Sequence, residues 1–252
     1  MITGSLVLLV VAMVGWIAGA LVNYISDVLP TRRRLVKPFC PQCQQPVSWL
    51  TYLFWPRKCT NCLQTRSVRC WIIEGVFIAI ALWFWVTPPD RLGLFIGLMW
   101  LMYFGIVIVI DLEHRLILHP VSWLGAVLGL ATGVWLHGWL STLIGGAVGF
   151  GIMLVFYWLG ILYVRKFASR KGQPIEEGDA FGFGDVNLSG IMGLLLGWPG
   201  ILAGLVLAIL IAGAVTLLYL AYMLITRRYV PNTALAFGPF LAASTIYLLY
   251  IR

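Results

Sequence analysis

Eight long apolar runs divide this 252-residue sequence, and they leave few folds open to it. They lie at approximately 4–24, 71–87, 92–110, 121–137, 140–164, 186–197, 199–225 and 235–251. About 20 apolar residues cross a bilayer as a helix, whose backbone polar groups are satisfied within the segment itself. Hydrophobic residues make up 61% of the chain and charged ones 10%, more apolar surface than a soluble domain of this length can bury. The expected fold is therefore an all-α polytopic membrane protein with about eight transmembrane helices. The sixth run is short, and its border with the seventh, at Gly197-Trp198-Pro199-Gly200, is the least defined. Gly145, Gly146, Gly149 and Gly151 suit close helix–helix packing in lipid.

The net charge of +8 raises nucleic acid as a partner, but the placement of the charge argues for topology instead. Arg32, Arg33, Arg34, Lys37, Arg57, Lys58, Arg66 and Arg69 follow the first run. Arg115 follows the third, Arg165, Lys166, Arg170 and Lys171 the fifth, and Arg227 and Arg228 the seventh. With eight spans those loops share one side, and only Arg91 and Arg252 lie opposite. The positive-inside rule makes that side cytoplasmic and puts both termini outside. Some of these cations can also grip anionic headgroups of the bilayer. Ala18-Gly19-Ala20 resembles a signal-peptidase site, but no basic stretch precedes the apolar run, so the first segment reads as a retained helix.

The first cytoplasmic loop, residues 30–70, separates the first helix (1–29) from the remaining membrane bundle (71–252). It carries CPQC, Cys40 to Cys43, and CTNC, Cys59 to Cys62. Two C-x2-C hairpins at this spacing suit a tetrahedral Zn²⁺ site. Two disulfides are the alternative, disfavoured in a reducing compartment. Four thiolates leave no open coordination position, so the zinc is expected to be structural. Cys70 is left over at the membrane edge as a packing residue.

The nine acidic residues can be weighed one by one. Glu176, Glu177 and Asp179 read as a solvated loop, Asp90 and Glu113 as short turns. Asp27 lies where it can reach water. Glu74 falls one turn inside the second segment and needs a partner, such as Arg69, or a water-lined cavity. Asp111 ends the third segment in IVIVIDLEHR, and Asp185 begins the sixth in FGFGDVNLSG. Asp185 can serve as a helix N-cap, or it can face Asp111 at the same depth. Two facing carboxylates share one proton. One then takes a proton from water while the other polarises a scissile carbonyl. Gly182 and Gly184 would let backbone pass close to Asp185. His114 and His119 read as surface residues, and His137 lies on the other side. The motifs of serine, zinc-dependent and nucleotide-driven enzymes are absent from the sequence.

In these features the chain resembles the bacterial prepilin peptidase (type IV leader peptidase) family, membrane aspartic proteases with a G-x-G-D signature. The resemblance runs through Asn23 and Leu29-Pro30, the two cysteine pairs, Arg69 with Glu74, Asp111-Leu112, Gly182-Phe183-Gly184-Asp185 with Leu188, and Phe237-Gly238-Pro239-Phe240. It implies Asp111 and Asp185 as the catalytic pair. It also implies prepilin or pseudopilin substrates, with a basic leader ahead of an apolar helix, cut at the cytoplasmic face of the bacterial inner membrane. Such substrates belong to type IV pilus and type II secretion systems. Many members then methylate the new N-terminus with S-adenosylmethionine, an activity associated with the zinc loop.

The chain departs from the family pattern in three places. Leu118-His119 stands before Pro120 where Pro-Asp is common, Asn187 where lysine is usual, and Val28 where arginine is common. Loss of the lysine removes a cation from beside the pair. Two other classes compete with the protease. A transporter would also carry intramembrane acids and glycine-broken helices, but these acids cluster at the membrane edge. A catalytically silent pilin-binding factor would keep the fold without cutting.

Overall fold

A computed structural model describes residues 2–54, 57–168, 182–227 and 236–251. Arg170, Lys171, Glu176, Glu177, Asp179, Arg228 and Arg252 lie outside the described residues. The chain forms two compact units, Met1–Ile110 and Asp111–Arg252. Among the described residues every regular element is a helix, with two isolated antiparallel bridges, Phe39 with Pro46 and Lys58 with Thr65.

The first unit holds α1 (Ile2–Arg32), α2 (Trp49–Leu53), α3 (Val68–Val86) and most of α4 (Gly93–His114). Helix α1 runs past Pro30 to Arg32, beyond the end of the apolar run that predicts it. It packs along α3 at two glycines. A Cβ on Gly15 would meet the Phe77 carbonyl at 2.6 Å, and one on Gly19 the Glu74 Cα at 2.7 Å. Such backbone approach is how helices associate in lipid, where apolar side chains gain nothing by leaving the solvent. Helix α3 starts where the Ser67 hydroxyl accepts from the Arg69 amide at 3.3 Å, a side-chain cap on the membrane segment.

The second unit holds α5 (His119–Ala168), α6 (Phe183–Leu196), α7 (Gly200–Ile225) and α8 (Gly238–Tyr250). The 50 residues of α5 are two helices broken at Gly138, whose φ of 77° is open to glycine at no steric cost. Gly133 lies against the Thr142 side chain, so the chain doubles back at this break. The two arms hold α6. Gly129 and Gly133 of the first arm face Ile191 and Leu194, while Gly145, Gly146 and Gly149 of the second face Gly193, Leu194 and Ser189. The Ser189 hydroxyl donates to the Gly149 carbonyl at 3.0 Å across the same seam. The packing expected of Gly145, Gly146 and Gly149 is present, but a Cβ on Gly151 would meet nothing within 4 Å.

Five helices, α1, α3, α4, α5 and α7, are long and apolar enough to cross a membrane. Helices α6 and α8 have 14 and 13 residues, so each rises only about 20 Å against a hydrocarbon core of about 30 Å. The shortness of α6 matches the short sixth run, 186–197, whereas the eighth run, 235–251, begins ahead of its helix. Gly197 ends α6 with φ 65°, and Pro239 fixes the first turn of α8 at Gly238. Outward side chains of α7, such as Leu210, Leu217 and Leu218, are exposed as lipid contact requires.

Candidate active site and metal centre

Asp111 lies in the last turn of α4, where Arg115, at φ 52°, closes the helix by donating its amide to the Asp111 carbonyl at 2.9 Å. Asp185 lies in the first turn of α6. The helix cap is Gly182, whose carbonyl accepts from the Asp185 amide at 3.0 Å, and no side chain caps this N-terminus. The N-cap reading of Asp185 therefore falls. Both carboxylates are buried, at 5% and 8% exposure, and they lie within electrostatic reach of each other. Oδ2 of Asp111 has no hydrogen-bond partner, an acceptor left free among buried atoms.

Glycines bring these chain ends together. A Cβ on Gly184 would fall 2.7 Å from that of Ile117, so the second glycine of G-x-G-D lets the first turn of α6 press on the α4–α5 connection. Gly182, the first of the signature, is exposed and has no such neighbour. Gly238 lies against the Asp111 carboxylate, an approach that the FGPF segment alone does not reveal.

A groove of about 510 Å³ runs beside this site between α5 and α6. His119, Ser122 and Asn187 are its polar lining, with Phe150, Phe183 and Ile191 among the apolar part. Two of the departures from the family pattern thus meet in one place. His114 and His119 are exposed, as expected, and His137 is exposed as well.

In the first unit, the Sγ atoms of Cys40, Cys43, Cys59 and Cys62 lie within 4.8 Å of one another. The pairs Cys40–Cys62 and Cys43–Cys59 are each 3.5 Å apart, too far for disulfides. Four sulfurs about 2.3 Å from a central ion would lie at nearly this mutual distance, so the set fits a tetrahedral metal. The two hairpins are built alike. Cys40 and Cys59 donate to the carbonyls of Gln45 and Gln64, and Gln44 and Leu63 take the left-handed conformation at φ 59° and 57°. Backbone amides of Cys62 and Asn61 pull the Cys59 thiol down to about 6, while its neighbours Cys43 and Cys62 are raised, so the fit to a metal rests on the placement of the four sulfurs.

Two ionic networks tie this loop to α1 and α3. Asp27 is partly exposed, as expected, and also accepts from the Tyr52 hydroxyl at 2.7 Å and from Arg66 at 2.9 Å, and pairs with Arg69. Burial pushes the Tyr52 phenol far up, and the Asp27 charge adds to this, so the group stays a donor. Glu74 pairs with Arg57 at 2.8 Å and accepts from Trp16 at 3.0 Å and Asn23 at 3.4 Å. The partner expected for it, Arg69, is held by Asp27. Arg57 also stacks over Trp71 with its Cζ 4.0 Å from the ring centroid. Cys70 is buried, as its packing role requires.

The chain is thus an all-helical membrane protein with a buried aspartate pair and a four-cysteine centre. The profile of the type IV leader peptidase family matches residues 94–218, and that of the bacterial peptidase A24 N-terminal domain matches residues 13–87. The chain belongs to the type IV leader peptidase family. It is similar to the prepilin leader peptidase/N-methyltransferase of Klebsiella pneumoniae, at 29% identity over 68% of this chain and 73% of the relative. The proteins of that name from Pseudomonas putida and Pectobacterium carotovorum subsp. carotovorum are 27% and 28% identical. They cover 81% and 82% of this chain, and 68% and 72% of their own lengths. No solved structure matches the chain.

Proposed function

We propose that the protein is a membrane aspartic endopeptidase that removes the basic leader from type IV prepilin or pseudopilin precursors, with Asp111 and Asp185 as its catalytic pair. The observation that carries this is the burial of the two carboxylates within reach of each other at the ends of α4 and α6. Two such groups cannot both ionise cheaply, so they hold one proton between them. The ionised member takes a proton from water as the oxygen attacks the scissile carbonyl. The protonated member hydrogen-bonds the carbonyl oxygen as negative charge develops there. Collapse of the tetrahedral intermediate then passes a proton to the leaving amine, which becomes the new N-terminus.

The positive-inside rule, applied to the basic residues of the loops, supports a cytoplasmic location for the aspartates and for the cysteine loop at the bacterial inner membrane. Cys40, Cys43, Cys59 and Cys62 would hold Zn²⁺ in a closed four-thiolate site, where the metal serves folding of the loop. N-methylation of the mature N-terminus is the second half of the relatives' name. Neither described groove fits S-adenosylmethionine. The one between α1, α3 and α4 is wholly apolar, and the one beside Asn187 has no carboxylate for the ammonium end.

Co-expression with a type IV prepilin tests the reading. Cleavage shows as a gel shift, N-terminal sequencing locates the cut, and the mass of the mature end reports methylation. A silent binding factor would hold the precursor uncut, and a transporter would give aspartate-dependent flux in proteoliposomes.

A further inference from the structure

Gly238 is the first residue of α8 and is buried against α4 at Asp111. A Cβ built on it would stand 2.5 Å from Asp111 Oδ2 and 3.2 Å from Cγ. The other described glycines with close neighbours meet backbone, apolar side chains, or the polar side chains of Ser141, Thr142 and His137; only Gly238 meets a carboxylate. Helix packing explains the others, and it does not explain a glycine whose missing side chain is replaced by a reacting group.

The hydrogen bonding of the α8 N-terminus points the same way. Its first turn exposes few donors, because Pro239 has no amide and the amides of Phe240 and Leu241 return to the Phe237 carbonyl at 3.0 and 3.3 Å. The Gly238 amide remains, at the end of the helix whose first α-carbon lies against the Asp111 carboxylate. Helix N-termini favour negative charge at this position. From Gly238 to Thr245 the helix carries no titratable side chain, so backbone is what α8 offers the aspartate. The carboxylate is 5% exposed, and its Oδ2 still lacks a partner. An oxygen so placed is fixed by its surroundings and keeps its lone pairs for water or substrate.

We propose that Gly238 is a positioning residue for Asp111: its bare α-carbon forms the seat that holds this carboxylate, as the base of the pair, for the reaction. This rests on the aspartic peptidase reading. In that assignment Asp185, which has no such seat among the described residues, supplies the proton to the carbonyl. A methyl at Gly238 displaces the reacting carboxylate without touching the substrate. A shift of about 1 Å in a catalytic group costs on the order of 100-fold in rate.

The test uses the full chain in detergent with a synthetic precursor peptide spanning the cleavage site. Wild type, Gly238→Ala and Gly151→Ala are compared for kcat, KM and thermal midpoint. Gly151 has open space and is expected to behave as wild type. Gly238→Ala is expected to lose kcat by about 100-fold, with KM changed less than about twofold. Equal kcat in Gly238→Ala and wild type would overturn the proposal, as would a loss confined to KM. If Gly238→Ala does not fold, Asp111→Ala/Gly238→Ala decides, because removing the carboxylate makes room for the added methyl. Recovery of the fold in that double variant supports the seat, and failure to recover it overturns it. Absence of cleavage by wild type would count against the peptidase reading instead, while the stability comparison would still test the seat.

Discussion

The Arg57 guanidinium donates to the Glu74 carboxylate across 2.8 Å, with both side chains 5% exposed or less. This bond joins the cysteine loop to the interior of α3, since Arg57 stands two residues before Cys59. A buried pair is costly to assemble and more costly to break, because the surviving charge is left without a partner. Glu74→Ala is expected to destabilise the protein by about 3–5 kcal/mol. Arg57→Met/Glu74→Leu, which removes both charges, is expected to recover most of that. Thermal unfolding in detergent measures both, and equal losses in the two variants would show that the pair itself stabilises.

Metal removal is expected to act locally. Chelation should release one zinc per chain and open residues 40–62 to protease, because the four thiolates hold the two hairpins together. The helices should survive, since they are held by α1–α3 and α5–α6 packing that involves no cysteine of the cluster. Limited proteolysis with far-UV circular dichroism checks this. A collapse of helicity on chelation would contradict it.

The α5–α6 seam predicts a steric effect. Gly145 faces the Gly193 carbonyl and Gly197, with no room for a side chain. Gly145→Leu is expected to cost about 1–3 kcal/mol, the usual scale of overpacking, and to lower the yield of folded protein. Gly151→Leu, in open space, should leave the yield unchanged. Detergent size-exclusion profiles of the two variants separate the outcomes.

Much of this was legible in the sequence, for identifiable reasons. The apolar runs located the membrane helices because lipid demands long unbroken segments, and the spacing of Cys40, Cys43, Cys59 and Cys62 carried the metal site because ligand bite is local. The pairing of ions was less legible. Arg69 lies five residues from Glu74 and was the natural partner, yet the loop returns Arg57 to that place and leaves Arg69 to Asp27. Chain folding over 17 residues decides this, and no periodicity records it. The shortness of α6 was visible in the short sixth run, whereas that of α8 was hidden, since Pro239 sets its start by backbone geometry inside a run that is apolar from residue 235. The role of Gly238 depends on a contact between residues 127 positions apart.

The central claim is that Asp111 and Asp185 together cut a pilin-type precursor. Its most direct measurement is N-terminal sequencing of a co-expressed type IV prepilin with wild type, Asp111→Asn, Asp185→Asn and Asp179→Asn. Wild type and Asp179→Asn are expected to yield the mature N-terminus. Each of the other two should lose at least about 10²–10⁴-fold, the usual contribution of one acid–base group. Cleavage that persists in either Asp111→Asn or Asp185→Asn would contradict the account.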